Sequence, residues 1–148
     1  YCTPVWSPCL IGEIDSIEKV QRYFTRRLFA GKSFSYPERL FLLNWDSLET
    51  RRIKSDVTMY YKVIHNLVEL DSKNFFNFSN APTRGHSQKI VKKFYSSNAY
   101  DNTFANRSVD CWNALPAEIV SVTSLPIFKF RLQKFDFTPF LNGRMSVS

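Results

Sequence analysis

Apolar residues first recur at a helical period between Glu13 and Phe29, where Ile14, Ile17, Val20, Phe24 and Leu28 stand three or four apart, with Gln21 replacing Val20 if the stripe drifts. That spacing predicts a helix burying one stripe, and Lys19, Arg22 and Arg26 fall on a different face. Gly31 supplies a stop, because glycine takes the left-handed backbone just beyond a helix end without strain. Ser35-Tyr36-Pro37-Glu38 then predicts a capping box opening a short helix through Leu43. Asp46 or Ser47 caps a third helix over Leu48 to Leu67, whose Ile53, Val57, Tyr60, Ile64 and Leu67 repeat at 4, 3, 4, 3. At 1.5 Å per residue this helix would run roughly 30 Å. His65 falls in its last turn, where histidine tends to meet terminal carbonyls.

The period is lost from 71 to 102, a stretch punctuated by Asn, Ser, Pro82 and Gly85. A short β strand or hairpin around Lys89 to Tyr95 fits there, and so long an irregular segment inside a compact domain marks a functional or mobile loop. Helical spacing returns from Thr103 to Asn113, with Phe104, Val109 and Trp112 on related faces, until Leu115-Pro116 stops it. Ser124 and Pro126 open a last helix that buries Leu125, Phe128, Leu132 and Phe135. Residues 138–148 read as a tail that frays. At the other end, Pro4 and Pro8 around Trp6 mark a junction, and the chain opens without an initiator Met, so its true amino terminus is expected upstream. The pattern predicts a mainly α fold with a basic irregular insertion.

Composition supports a packed core: in 148 residues, 44% are hydrophobic and Phe alone occurs 14 times, against four glycines. Charge sharpens the picture more. The net charge is +7, and such a balance draws polyanions through long-range fields and counterion release. From Glu13 to Lys62 ten Lys/Arg face seven Asp/Glu, whereas from Ser72 to Phe135 nine face three. Arg84, Lys89, Lys92 and Lys93 lie in a run that holds no acid between Asp71 and Asp101, and Phe94 and Tyr95 sit among them. Cations interleaved with aromatics combine phosphate contact with base stacking; anchoring of the rings in the core with lysines in water fits equally well. The basic face of the first helix likewise fits a solvated surface, with Glu18 pairing to Arg22 at i+4.

Familiar catalytic chemistry is missing from the sequence. The four glycines, Gly12, Gly31, Gly85 and Gly143, are isolated, so none forms a phosphate-cradling loop. The acids are scattered, whereas two-metal catalysis needs clustered carboxylates; Asp15 with Glu18 and Asp46 with Glu49 sit at helix starts, where the dipole alone justifies them. Cys2, Cys9 and Cys111, an odd set with wide spacing, read as free thiols of a reducing compartment rather than as a disulfide framework. No C-x2-C or H-x3-H pair joins them to His65 and His86 as a zinc site. Sequons at Asn77 and Asn106 would matter only in a secreted protein, and no stretch approaches the roughly 20 apolar residues that cross a bilayer.

Four runs, in order, carry a family resemblance. Tyr1-Cys2-Thr3-Pro4-Val5-Trp6-Ser7-Pro8 leads to Ile14-Asp15 and Ile17-Glu18-Lys19-Val20-Gln21-Arg22; Tyr36-Pro37-Glu38-Arg39-Leu40 leads to Ser47-Leu48-Glu49-Thr50-Arg51-Arg52, Asp56 and Tyr61-Lys62. Thr83-Arg84-Gly85-His86-Ser87 follows, then Phe104-Ala105-Asn106-Arg107, Trp112-Asn113-Ala114-Leu115-Pro116, Ser124, Phe128-Lys129 and Arg131-Leu132. Together they resemble the carboxy-terminal part of reverse transcriptases from non-LTR retrotransposons (LINE elements of the jockey and chicken-repeat kind). Ser55, where a Gly is common, and Val122 and Thr123, where small residues are usual, depart from that pattern.

The resemblance implies a thumb-like helical segment over 1–70, a basic loop over 71–102 and carboxy-terminal helices over 103–137. It also implies an RNA-directed DNA polymerase as parent, with its Mg-binding palm upstream and no cofactor in this portion. The implied partners are RNA and DNA as template-primer duplex and the palm of the same polypeptide, with no membrane, in nucleus and cytoplasm. On this reading Lys19, Arg22, Arg26, Arg51 and Lys54 grip the duplex, while Arg84, Lys89, Lys92 and Lys93 contact flanking nucleic acid. Two alternatives stay open: a segment that only completes the polymerase fold, and an adopted host module that binds nucleic acid.

Overall fold

The computed structural model describes residues 2–79, 85–93 and 101–142. It is mainly helical, as expected. In chain order come α1 (Ile11–Leu28), α2 (Tyr36–Leu43), α3 (Leu48–Ile64), α4 (Ser72–Phe75), α5 (Phe104–Arg107), α6 (Val109–Ala114), α7 (Ala117–Val120) and α8 (Leu125–Leu132), then a 3-10 turn at Thr138–Phe140. The chain divides into two compact units, Tyr1–Trp6 with Ile53–Phe140, and Ser7–Arg52 with Leu141–Ser148. The division passes through α3, so residues 53–70 group with the later helices.

The larger unit holds an aromatic core. Tyr60, Tyr61, Val57 and Val63 of α3 pack with Phe76, Ile90, Trp112, Leu115, Phe128 and Leu132, all buried. The predicted stripe of α3 is buried at Val57 and Tyr60, but α3 stops at Ile64 and leaves Leu67 exposed. Asn66 explains this: it turns left-handed at φ 53°, and Leu67 and Asn66 donate backbone N–H to Lys62 and Val63, the pairing of a Schellman ending. His65 stacks on the Tyr61 ring at 4.1 Å instead of capping carbonyls. The tyrosine hydroxyls, carried in by buried rings, donate to the carbonyls of Phe104 and Val122, each at 2.7 Å. Burial pushes both phenols above their ordinary range.

The expected helix over Thr103 to Asn113 is broken at Ser108 into α5 and α6, and Leu115 with extended backbone ends α6 before Pro116. The final helix starts as predicted, with Ser124 at its N-cap, Pro126 in its first turn and Phe128 and Leu132 buried, but it ends at Leu132, leaving Phe135 beyond it and, like Leu125, half-buried; the Ser124 hydroxyl makes no capping bond. Of the strand expected around Lys89 to Tyr95, residues 94 and 95 lie outside the described residues; among those described, an antiparallel bridge joins Phe78 and Ile90, carried by Ser79 N–H to Lys89 O and Val91 N–H to Asn77 O. Residues 138–142, read as frayed, include the 3-10 turn, with Phe140 against Phe135 and Asn142 N–H bonded to Glu49.

The smaller unit is built differently. Its capping box is present as predicted: Ser35 Oγ accepts from Glu38 N, and Glu38 accepts from Ser35 N at 2.7 Å, which holds the Glu38 carboxyl below its usual range. Ser47 caps α3 through Thr50 N at 3.1 Å. Along α1, however, the buried residues are Ile14, Glu18, Gln21 and Thr25, while Val20, Phe24 and Leu28 are exposed. The expected stripe holds at Ile14 and, on its drift, at Gln21, but fails at Phe24 and Leu28, because the polar side chains on the buried side are paired. Glu18 accepts from the Tyr36 hydroxyl and from Leu48 N, Gln21 donates to Tyr36 and to Asp46 O, and Thr25 accepts from the buried Arg39. Each bond removes the penalty that an unpaired polar group would incur there. The Tyr36 phenol is raised by burial first and by the Glu18 carboxylate second.

Candidate nucleic-acid interface

Within the smaller unit, Lys19 and Arg26 are exposed on α1. Seven residues apart, they share one side of the helix and stand about 10 Å from each other along its axis. Arg22, expected beside them, turns inward: it pairs with Asp15 at 3.6 Å and lies over the Tyr36 ring at 5.3 Å. Glu18, its expected partner, is engaged with the Tyr36 hydroxyl and Leu48 N. Arg51 is exposed on the first turns of α3 and lies over the Trp45 ring, 6.0 Å from its centroid. Arg27, which sequence reasoning did not select, is exposed on α1 over Tyr23. No acid occurs between Lys19 and Pro37, a signal the sequence already held.

The remaining candidates lie in the larger unit, where structural engagements account for much of their chemistry. Lys54 sits over Phe137 at 5.4 Å. Lys92 makes an ion pair with Asp110. Lys93 is half-buried, and its backbone N–H and C=O are both bonded to the Asn106 side chain. Lys89 is half-buried with its side chain folded against Gly85, whose φ is +109°. Arg84, Phe94 and Tyr95 fall outside the described residues, so the proposed aromatic-basic interleaving is described only at Lys92 and Lys93.

Segment 86–93 is tied down rather than loose. Asn113 donates to Ile90 O at 2.8 Å and accepts from Ile90 N at 2.9 Å, completing the pairing a strand neighbour would give. The Trp112 indole donates to Gln88 O at 2.8 Å, and His86 Nε2 meets Trp112 O at 3.0 Å. Burial lowers the His86 pKa, and Lys89 lowers it further. Asn106, one of the two sequon asparagines, is buried with its amide committed to Lys93 and Asp101; a glycan could not be attached there without breaking those bonds.

Cys2 and Cys9 are exposed and Cys111 is buried, its thiol pushed up to about 12 chiefly by burial. No group of three or more His, Cys, Asp or Glu side chains placed to hold a metal occurs among the described residues. Among them, too, no helix is long and apolar enough to cross a membrane. A groove of about 440 Å³ is lined by Phe34, Pro37, Glu38, Phe41 and Leu42, and its one carboxylate is already spent on the Ser35 cap. No protein-family model, curated protein or solved structure matches the chain.

Proposed function

We propose that the chain is a non-catalytic carboxy-terminal portion of a non-LTR retrotransposon reverse transcriptase, and that it holds template-primer duplex by nonspecific phosphate contacts. The observation that carries this reading is the exposed basic edge of α1, Lys19 and Arg26, in a stretch without acids. Arg51 adds to it from α3. The four ordered runs of resemblance support the family part, and in that family the polymerase carboxylates and their Mg lie in the palm.

The test is duplex affinity against salt. Each phosphate contact contributes about 0.9 to the slope of log K against log salt on duplex DNA. A Lys19→Ala/Arg26→Ala chain should therefore bind more weakly and lose about 2 from that slope, whereas Lys92→Ala, which removes a cation paired with Asp110, should change the slope little. A wild-type slope near zero refutes the reading.

A second reading, a segment that completes the polymerase fold, is favoured for the larger unit by a specific observation. Asp56, Arg107, Asn106, Trp112, Asn113 and His86, all within the resembling runs, make bonds that hold separate segments together. On that division of labour the smaller unit touches nucleic acid and the larger one supplies architecture.

A further inference from the structure

The inverted face of α1 exposes what an ordinary amphipathic helix would bury. Phe24 is 51% exposed, Val20 69%, Tyr23 61%, and Trp45 37%. Phe24 and Trp45 are not scattered: their rings lie parallel within 7°, centroids 6.2 Å apart. Trp45 is also held by backbone geometry. Asn44 closes α2 with a left-handed turn at φ 52°, and Trp45 N–H bonds back to Leu40 O at 2.9 Å, so the indole projects from a Schellman ending. Two guanidinium groups flank the rings, Arg51 over Trp45 and Arg27 over Tyr23.

Contiguous exposed apolar surface marks a binding site, and the charge around this one selects the occupant. Arg27 and Arg51 flank it, so an anionic partner is favoured. Flat aromatic and guanidinium faces suit a partner that is itself planar and apolar on its faces. Unpaired nucleotides meet both conditions, since each base has a stackable face and each link a phosphate. A stacked duplex does not, because its base faces are covered.

Resting on the nucleic-acid reading above, we infer that Trp45 and Phe24, with Tyr23, Arg27 and Arg51, form a stacking platform for a single strand. The platform is distinct from the Lys19–Arg26 edge, which addresses phosphates of any form.

The test compares a 20-nucleotide oligo(dT) or oligo(U) with a blunt duplex of equal length, titrated against the full chain at fixed salt. Trp45→Ala and Phe24→Ala should each weaken single-strand binding on the order of tenfold and leave duplex binding within about twofold. Trp45→Phe should retain most of the affinity, and unchanged far-UV circular dichroism and melting shows that the fold is kept. In a Trp6→Phe background, with Trp112 buried, Trp45 emission should be quenched by the oligonucleotide. Equal single-strand affinity in wild type and Trp45→Ala overturns the platform, as does equal loss for strand and duplex. A concentration-dependent dimer abolished by Trp45→Ala also overturns it, assigning the face to a second copy. A wild-type chain that binds duplex but not single strand sinks this inference alone; binding to neither removes the nucleic-acid reading as well.

Discussion

Truncating Asp56 tests the central polar contact of the larger unit. Asp56 is 2% exposed on α3 and accepts three charge-assisted bonds: Arg107 Nε at 2.7 Å, Arg107 Nη2 at 2.8 Å and Ser108 Oγ at 3.1 Å. The same Nη2 reaches the carbonyls of Thr3 and Pro4 at 2.9 and 3.0 Å. One guanidinium thus fastens α5 to α3 and ties in the chain's first residues. Removing one partner of a buried pair costs about 3–5 kcal/mol, mostly because the other charge is stranded. Here Arg107 keeps two carbonyls and its side chain is 14% accessible, so Asp56→Ala should fall near the low end, about 3 kcal/mol. For a chain of this length that lowers Tm by roughly 6–12 °C.

Asp56→Asn keeps the shape and one acceptor oxygen but loses the charge, and should cost about half as much. The assay is urea or thermal unfolding of wild type, Asp56→Ala, Arg107→Ala and the double variant. A coupling energy above about 1.5 kcal/mol is expected for groups sharing a buried network, and it should persist at high salt because a buried pair is poorly screened. A single-variant loss below about 1 kcal/mol, or additive single losses, refutes the argument.

Two further predictions follow from the tethers around segment 86–93. Asn113→Ala leaves both polar groups of the Ile90 backbone without their side-chain partner, so a loss of about 2 kcal/mol is expected, with faster amide exchange at Ile90; protection equal to wild type would contradict it. His86 is buried, its pKa depressed chiefly by desolvation from the ordinary 6.5, so the unfolded chain takes up its proton first as pH falls. Stability contributed by neutral His86 is present above about pH 6.5 and declines below it, by at most about 1.4 kcal/mol per pH unit. His86→Gln should flatten that decline between pH 6.5 and 5, and an identical pH profile in wild type and variant would exclude His86 as its source.

Local signals read true in this sequence. The Ser35–Glu38 box, the Ser47 cap, the Pro116 stop and the Pro126 start each depend on residues within one turn of one another, and all are where the pattern placed them. What depended on distant partners was not legible. Glu18 looked like a helix-surface acid, yet it meets Leu48, 30 positions on. Lys92 looked like a free cation until Asp110, 18 positions on, was found beside it. The α1 stripe failed for the same reason: a 3.6-residue period locates apolar side chains, but the buried face is decided by which side chains find partners, and here Tyr36, Asp46 and Arg39 made the polar side the cheaper one to bury.

That inversion also separates two kinds of residue. Glu18, Gln21, Tyr36, Arg39, Asp56, Asn106, Arg107, Trp112 and Asn113, all in the resembling runs, make directional bonds across the chain, and a buried directional bond tolerates little substitution. Phe24, Trp45 and Arg27 lie outside those runs and face solvent. The resembling runs thus contain the side chains that hold segments together, along with the exposed Lys19 and Arg51, whereas the aromatic rings proposed to meet a single strand lie outside them. Exchange of a tether should therefore cost stability whatever the strand, while exchange of Phe24 or Trp45 should change strand affinity and leave stability nearly unaltered.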